Sequence, residues 1–369
     1  VTASTIENRD DLIRYLNAAM ALEHGTIPTY LTAYYSIRST TNSDAAHIIR
    51  VAAVEEMLHL TLVANVLNAV GGEPDLTRPG FVPSYPAYLP DGESDFTVDL
   101  RHFSPEAVET FCKIERPGRA PSADERLLKV PDDRTPLMVS SPTAEGMRFY
   151  SIGEFYEEII EGLEKVAAHD PTLFRGDPVR QMGPEYFYSG GGDVIVVSDL
   201  ESAQRALHFI AAQGEGLDSG IYDADGELAH YYRFRQLQLG RYYQAGDSPD
   251  APSGPALRID WDDVYKVKTS ARLADYPAGS ELARVARDFN ADYAAFLALL
   301  TKAFNGQPDL LQDAVCEMFR LRDGFNRLIC NPLPGSGGLH AAPTFEMPAE
   351  TGPDPLASAG AGETPPVVT

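Results

Sequence analysis

Apolar residues recur at steps of three and four along most of this chain, the period of helices with one buried face. Over residues 8–37 the stripe reads Leu12, Leu16, Met20, Glu23, Ile27 and Tyr34, with Pro28 expected to kink the helix. A second helix is predicted from a cap at Ser43 or Asp44 to about Val70, where Gly71 and Gly72 stop it. Ser104 and Pro105 open a short helix, with serine at the N-cap and proline at the first helical position. The same reading places helices over 151–168, 202–213, the segment ELAHYYRFRQLQLG, 281–304 and 308–330.

The breaks between these stretches are also informative. Residues 73–95 are rich in proline and glycine, and their aromatics Phe81, Tyr85 and Tyr88 predict an ordered loop able to wall a pocket. FTVDL (96–100) reads as a short strand, and DVIVVSDL (193–200) is strand-like at its centre before it turns into a helix. Residues 116–143 are polar and read as loop, and 246–255 form a turn-rich break. Leu297, Leu300, Met318, Phe319 and Leu321 are expected in the core. The organisation expected is a helical bundle over 1–245, a helical extension packed on it over 246–348, and a disordered Pro-, Gly-, Ala- and Thr-rich tail over 349–369.

Composition narrows the function classes. The 369 residues carry a formal net charge of −24, which argues against nucleic acid or an anionic membrane as partner, since both need basic patches. No run of about 18 apolar residues occurs, so no membrane span is expected, and residues 1–10 lack a signal-peptide apolar stretch. Cys112, Cys316 and Cys330 form no CxxC pair, so a reducing cytoplasmic location fits better than a disulfide framework or a zinc knuckle.

The candidate chemistry lies in the first two helices. Ile49, Ala52, Glu56, His59, Val63 and Val66 share one face, so a carboxylate and an imidazole occupy the core stripe of an apolar helix. Burying them without a partner costs several kcal/mol. Glu-x-x-His places both side chains one turn apart, where they can grip one metal ion, as in di-iron carboxylate bundles. The plainer reading is a buried ion pair. Glu23 sits in the stripe of the first helix in the same way, and together the three residues make half of a four-helix di-metal ligand set. The other half is open at this level. Glu154, Glu157, Glu158, Glu161 and Glu164 all lie off the apolar stripe of their helix (Ile152, Tyr156, Ile159, Leu163), and Glu227 with His230 makes a second Glu-x-x-His.

The blocks LEHGTIPTYLTAYYSI, VEEMLHLTLVANVLNAVGG, YPAYLP, IGEFY, QGEG and HYYRF resemble the ferritin-like family typified by iminophenyl-pyruvate dimer synthase of violacein biosynthesis and its shorter stand-alone relatives. The match runs in order over about residues 12–234, and the C-terminal AVCEMFRLRDGFNRLICNPLP is similar too. The resemblance implies a mainly α, ferritin-like four-helix bundle with extra C-terminal helices and long Pro-rich loops. It implies Glu23, Glu56 and His59 as metal ligands and candidate catalytic residues. It adds Glu154, Glu215 and His230 as the second half, with Glu158 the rival of Glu154 and Glu227 the rival of Glu215. This chain is much shorter than the violacein enzyme, whose dimerisation chemistry is not carried over.

The function implied is a non-haem di-iron oxidoreductase, an oxidase or oxygenase of a small amino-acid-derived or other specialised metabolite. Its cofactor would be two iron ions, with manganese the alternative for carboxylate and imidazole ligands. Its partners would be that small molecule and dioxygen, and an oligomer is compatible. Tyr30, Tyr34, Tyr150, Tyr156 and Tyr231 are candidates to line the site, and Arg233 to pair with a ligand carboxylate or bind a substrate acid. The alternative is a ferritin-like metal-binding or storage protein without an organic substrate.

Overall fold

A computed structural model describes residues 5–38, 41–91, 95–118, 149, 151–187, 191–217 and 220–348. Among them are eight α-helices: α1 (Arg9–Ser36), α2 (Ser43–Ala69), α3 (Pro105–Ile114), α4 (Ile152–His169), α5 (Leu200–Glu215), α6 (His230–Leu239), α7 (Glu281–Phe304) and α8 (Leu310–Ile329). The expected disordered tail over 349–369, most of the loop expected over 116–143, and Tyr150 lie outside the described residues.

The helix ends follow local capping chemistry. Asn8 accepts the Asp11 N–H at 3.0 Å to open α1, Ser104 accepts from Ala107 to open α3, and Ser151 accepts from Glu154 to open α4. For α2 the N-cap is Asn42 rather than Ser43 or Asp44, and its side chain is spent on Asp260, whose backbone it both donates to and accepts from. Pro28 lies inside α1, which runs on for two more turns to Ser36.

Both expected strands are absent as strands. Among the described residues only isolated bridges occur, and Val98 of FTVDL makes one with Ala87. Residues 193–199 stay extended because α2 takes up their backbone: Asn65 donates to the Ile195 carbonyl, and Val194 and Val197 are buried. The segment has the apolar pattern of a strand, but its backbone bonds the side chains of Asn65 and Gln181 instead of a ladder.

α1 and α2 pack along one another, as do α4 and α5, and the two pairs meet through α1–α4 and α2–α5 to make a four-helix bundle. α3 pairs with α6, and α6 also reaches α2 and α5. α7 and α8 form a further helix pair laid on α1 and α2. One continuous core links Leu16, Leu62 and Ile159 of the bundle to Phe289, Leu297 and Phe325 of the C-terminal pair. Leu297 and Leu300 are buried as expected, whereas Phe319 is 67% exposed on the outer face of α8.

Candidate metal centre

The α1–α2 pair carries Glu23, Glu56 and His59 on the face it turns toward the rest of the bundle, and all three are buried. Glu23, Glu56 and His59 bring one ligand atom each to within 4.8 Å of one another, and Glu56, Glu115 and His230 do the same. Glu56 is common to both groups. Its two oxygens divide between them: Oε2 lies 3.8 Å from His59 Nδ1, and Oε1 lies 3.0 Å from His230 Nδ1.

The two halves are built alike. In the first, Glu23 Oε1 accepts the Tyr156 hydroxyl while Oε2 lies 3.3 Å from His59 Nδ1. The far nitrogen of His59 is 2.9 Å from Gln213 Oε1. Gln213 is oriented by its own amide, which donates to the Gly191 carbonyl at 2.6 Å, so its oxygen is the acceptor of the His59 Nε2–H. In the second half, Glu115 Oε1 accepts the Tyr30 hydroxyl while Oε2 lies 3.7 Å from His230 Nδ1. His230 Nε2 meets Glu55 Oε2 at 2.7 Å, and Arg233 donates to that same oxygen at 2.8 Å. Both imidazoles therefore turn Nδ1 inward and anchor Nε2 on an outer acceptor, the arrangement that fixes tautomer and ring orientation in histidine ligands.

The electrostatics suit a cation. Glu23, Glu55, Glu56 and Glu115 are each 3% exposed or less, and the guanidinium bonded among them is that of Arg233. Burial and the Glu56 charge push the Glu23 carboxyl up, and the same two causes push Glu115 up. Burial alone would lower the His59 imidazole, but the Glu23 and Glu56 carboxylates carry it up to about 10. His230 is raised well above its ordinary value by Glu115, Glu55 and Glu56 against the same burial penalty. His230 Nδ1 is buried and makes no hydrogen bond, although a carboxylate oxygen is 3.0 Å away. An inward imidazole nitrogen without a hydrogen bond, among carboxylate oxygens, fits a hard or borderline metal ion.

Of the residues expected at the site, Glu23, Glu56, His59 and His230 come together. Glu154 and Glu215 lie outside both groups. Glu154 sits half-buried in the first turn of α4. Glu215 takes the Gly118 and Gly153 N–H groups at 2.7 and 2.5 Å, capping the start of α4. Gly153 is required there, since a Cβ would lie 2.6 Å from both Glu215 oxygens. Glu227, three residues before His230, is exposed in the turn ahead of α6. Of the tyrosines, Tyr30 and Tyr156 bond the Glu115 and Glu23 carboxylates, Tyr34 packs at a tilt against Tyr35, and Tyr231 meets Tyr232 edge to face.

Glu115 was missed, and a signal for it existed. Val108, Phe111, Cys112 and Glu115 share the apolar face of α3, so Glu115 is a carboxylate in a core stripe, like Glu23 and Glu56. The same test selects Tyr156 in α4 and Gln213 in α5, the two polar residues there that do reach the ligands.

A ferritin-like family model matches residues 16–239. The chain belongs to the ferritin-like family. It is 27% identical over 404 residues to dichlorochromopyrrolate synthase of Lentzea aerocolonigenes, covering 94% of this chain but 37% of the synthase. It is 31% identical over 111 residues to bacterioferritin of Desulfovibrio desulfuricans, covering 29% of this chain and 61% of that protein. This chain therefore spans less than two thirds of the length of both curated relatives. A crystal structure of a ferritin-like protein from Caulobacter vibrioides superposes with a TM-score of 0.59 at 25% identity, covering 91% of this chain and 98% of that one. In this ferritin-like chain Glu23, Glu56 and His59 lie on the first two helices. Its α4 and α5 bring Tyr156 to Glu23 and Gln213 to His59, while α6 and the residue after α3 bring His230 and Glu115 to Glu56.

Proposed function

We propose that this ferritin-like chain is a non-haem di-iron oxidase or oxygenase of a small amino-acid-derived or other specialised metabolite. The observation that carries the reading is Glu56, whose two oxygens face two carboxylate–imidazole groups at once. The ligand set is Glu23, Glu56 and His59 for one ion and Glu56, Glu115 and His230 for the other, with Glu115 in place of Glu154 and Glu215. Carboxylate and imidazole suit iron, with manganese the alternative. When bound, two such ions supply oxidising chemistry with dioxygen.

The chain's own residues have definite parts in this reading. Tyr156 and Tyr30 hold one oxygen of Glu23 and of Glu115, leaving the other free to ligate. Burial and the neighbouring carboxylates keep both hydroxyls protonated, so they remain donors. Thr26 donates to Glu56 Oε2 at 3.1 Å and fixes the shared carboxylate. Arg233 is committed to Glu55 and so positions His230 rather than binding a substrate acid. Likeness to a synthase over nearly the whole chain favours an organic substrate over storage, since the likeness to bacterioferritin covers 29% of it. Among the described residues no helix is long and apolar enough to cross a membrane, and three free thiols suit a reducing cytoplasm.

The test is to reduce the iron-loaded protein and supply dioxygen with a panel of aromatic and aliphatic amino acids and their keto and imino derivatives. Products are followed by mass, with Glu56→Ala as control. Repeated oxygen uptake coupled to one organic class supports the reading. Uptake that tracks added iron alone, or products that persist in the control, would replace it with storage.

A further inference from the structure

A second site lies on a different face of the α1–α2 pair. A cavity of about 250 Å³ opens between α1–α2 and α7–α8, walled by side chains such as Ile27, Met57, Leu300, Phe304, Ala314 and Phe325. His24 and Tyr293 also line it, and both are buried. Two of its lining residues, Val315 and Arg322 of α8, are exposed to solvent and place its open side there. The loop expected to wall a pocket does not line this one: Phe81 stacks 4.8 Å from the His24 ring and Tyr85 donates to the Gly25 carbonyl at 2.8 Å, so both pack behind α1.

The polar end of the cavity is unbalanced. His24 Nε2 and the Tyr293 hydroxyl share one hydrogen bond of 2.5 Å, and His24 Nδ1 has no partner. If Tyr293 donates, Nδ1 carries the ring proton and is a buried donor without an acceptor. If the ring donates instead, the Tyr293 O–H is the unmatched donor. Either way one buried donor lacks an acceptor, a deficit that native interiors rarely leave. The volume sets the size of what would supply it. An apolar cavity of about 150 Å³ accepts benzene, so this one accommodates a fused bicycle. Away from Arg322 at the exposed rim the walls are apolar, so an ion buried at the His24 end would go unsolvated.

We propose that this cavity binds a neutral apolar molecule of about bicyclic size that carries one hydrogen-bond acceptor, such as a ketone, turned toward His24 and Tyr293. The site is independent of the metal assignment and would stand if that assignment fell.

The experiment uses the full chain as purified, with iron content measured in parallel, and two probes of one shape: 1-indanone, which has the acceptor, and indane, which lacks it. By calorimetry 1-indanone should bind roughly three- to ten-fold tighter than indane, the range of one net neutral hydrogen bond. Ala314→Phe fills the cavity and should weaken 1-indanone at least tenfold with iron content unchanged. Val315→Trp plugs the exposed mouth without burdening the core and should slow association. Crystals soaked in 5-bromo-1-indanone should show anomalous bromine density between α1–α2 and α7–α8, a readout that needs no variant. Failure of both probes to bind, equal affinity for the two, binding untouched by both substitutions, or bromine density elsewhere would each overturn the proposal.

Discussion

Glu55 Oε2 lies 2.7 Å from His230 Nε2 and accepts its proton, whereas the equivalent nitrogen of His59 is matched by the neutral amide of Gln213 at 2.9 Å. A carboxylate behind an imidazole raises its basicity, and an amide does so less. If the two groups hold metal as proposed, this difference predicts that they hold it with different strength.

Metal loading should accordingly be stepwise, with the Glu56–Glu115–His230 half filling first. Glu55→Gln keeps an acceptor for His230 but removes the charge, and should weaken that half by about 10- to 100-fold, the usual effect of losing such an outer partner. Competition titration with a chromogenic chelator reads both constants, and two equal, independent sites in the wild type would contradict the asymmetry.

Ligand identity can be read by single substitutions and iron analysis. His59→Ala and Glu115→Ala should each lose at least one iron per chain, and Glu56→Ala should lose both. Glu154→Ala should lose none, because Glu154 lies outside both groups. Full iron content in Glu115→Ala with loss in Glu154→Ala would restore the assignment drawn from family resemblance.

The imidazoles make the metal-free protein sensitive to alkali. The folded His59 is raised from 6.5 to about 10 by Glu23 and Glu56 against the penalty of burial. Its contribution to stability is fully present below pH 6.5 and is lost as pH rises through about 10. The melting temperature of the metal-free protein should fall across that window, and less so in His59→Gln. Metal uptake at pH 7 should release protons, since ligation needs Nδ1 bare, and a pH indicator in weak buffer would register it.

Chelation should lower the melting temperature at any one pH, because a metal bound to the native state stabilises by mass action, about 2.7 kcal/mol at a hundredfold excess over Kd. Superimposable melts with and without chelator would show that these carboxylates are not held by metal.

The C-terminal helices should prove inseparable from the bundle. Phe289, Leu297 and Phe325 are each at most 2% exposed within the continuous core. Phe325→Ala should cost about 3–5 kcal/mol, read by denaturant unfolding. A chain ending at Gly246 should be insoluble, because it bares the apolar face of α1–α2; a soluble, metal-binding fragment ending there would show two independent domains.

Helices and the first half of the centre were legible without coordinates because both are local. Periodicity fixes which residues share a face, so Glu23, Glu56 and His59 stood out as polar groups in apolar stripes, and capping residues marked several ends to within a residue or two. Glu115 continues the apolar face of α3 and was legible in the same way, whereas His230 is the first residue of α6, where no helical period precedes it, so its direction depended on how that helix docks. Family resemblance pointed to Glu154, Glu215 and His230; His230 joins the site, but Glu154 lies off the apolar stripe of its helix, and α4 and α5 turn Tyr156 and Gln213 inward instead. The cavity beside His24 was beyond any local pattern, because its walls come from helices more than two hundred residues apart. What a residue's own neighbours in sequence decide, its face and its helix, can be read from the chain. What it meets across the core is decided by packing, because the burial that drives docking is non-directional and many partners satisfy it equally until the whole fold is assembled.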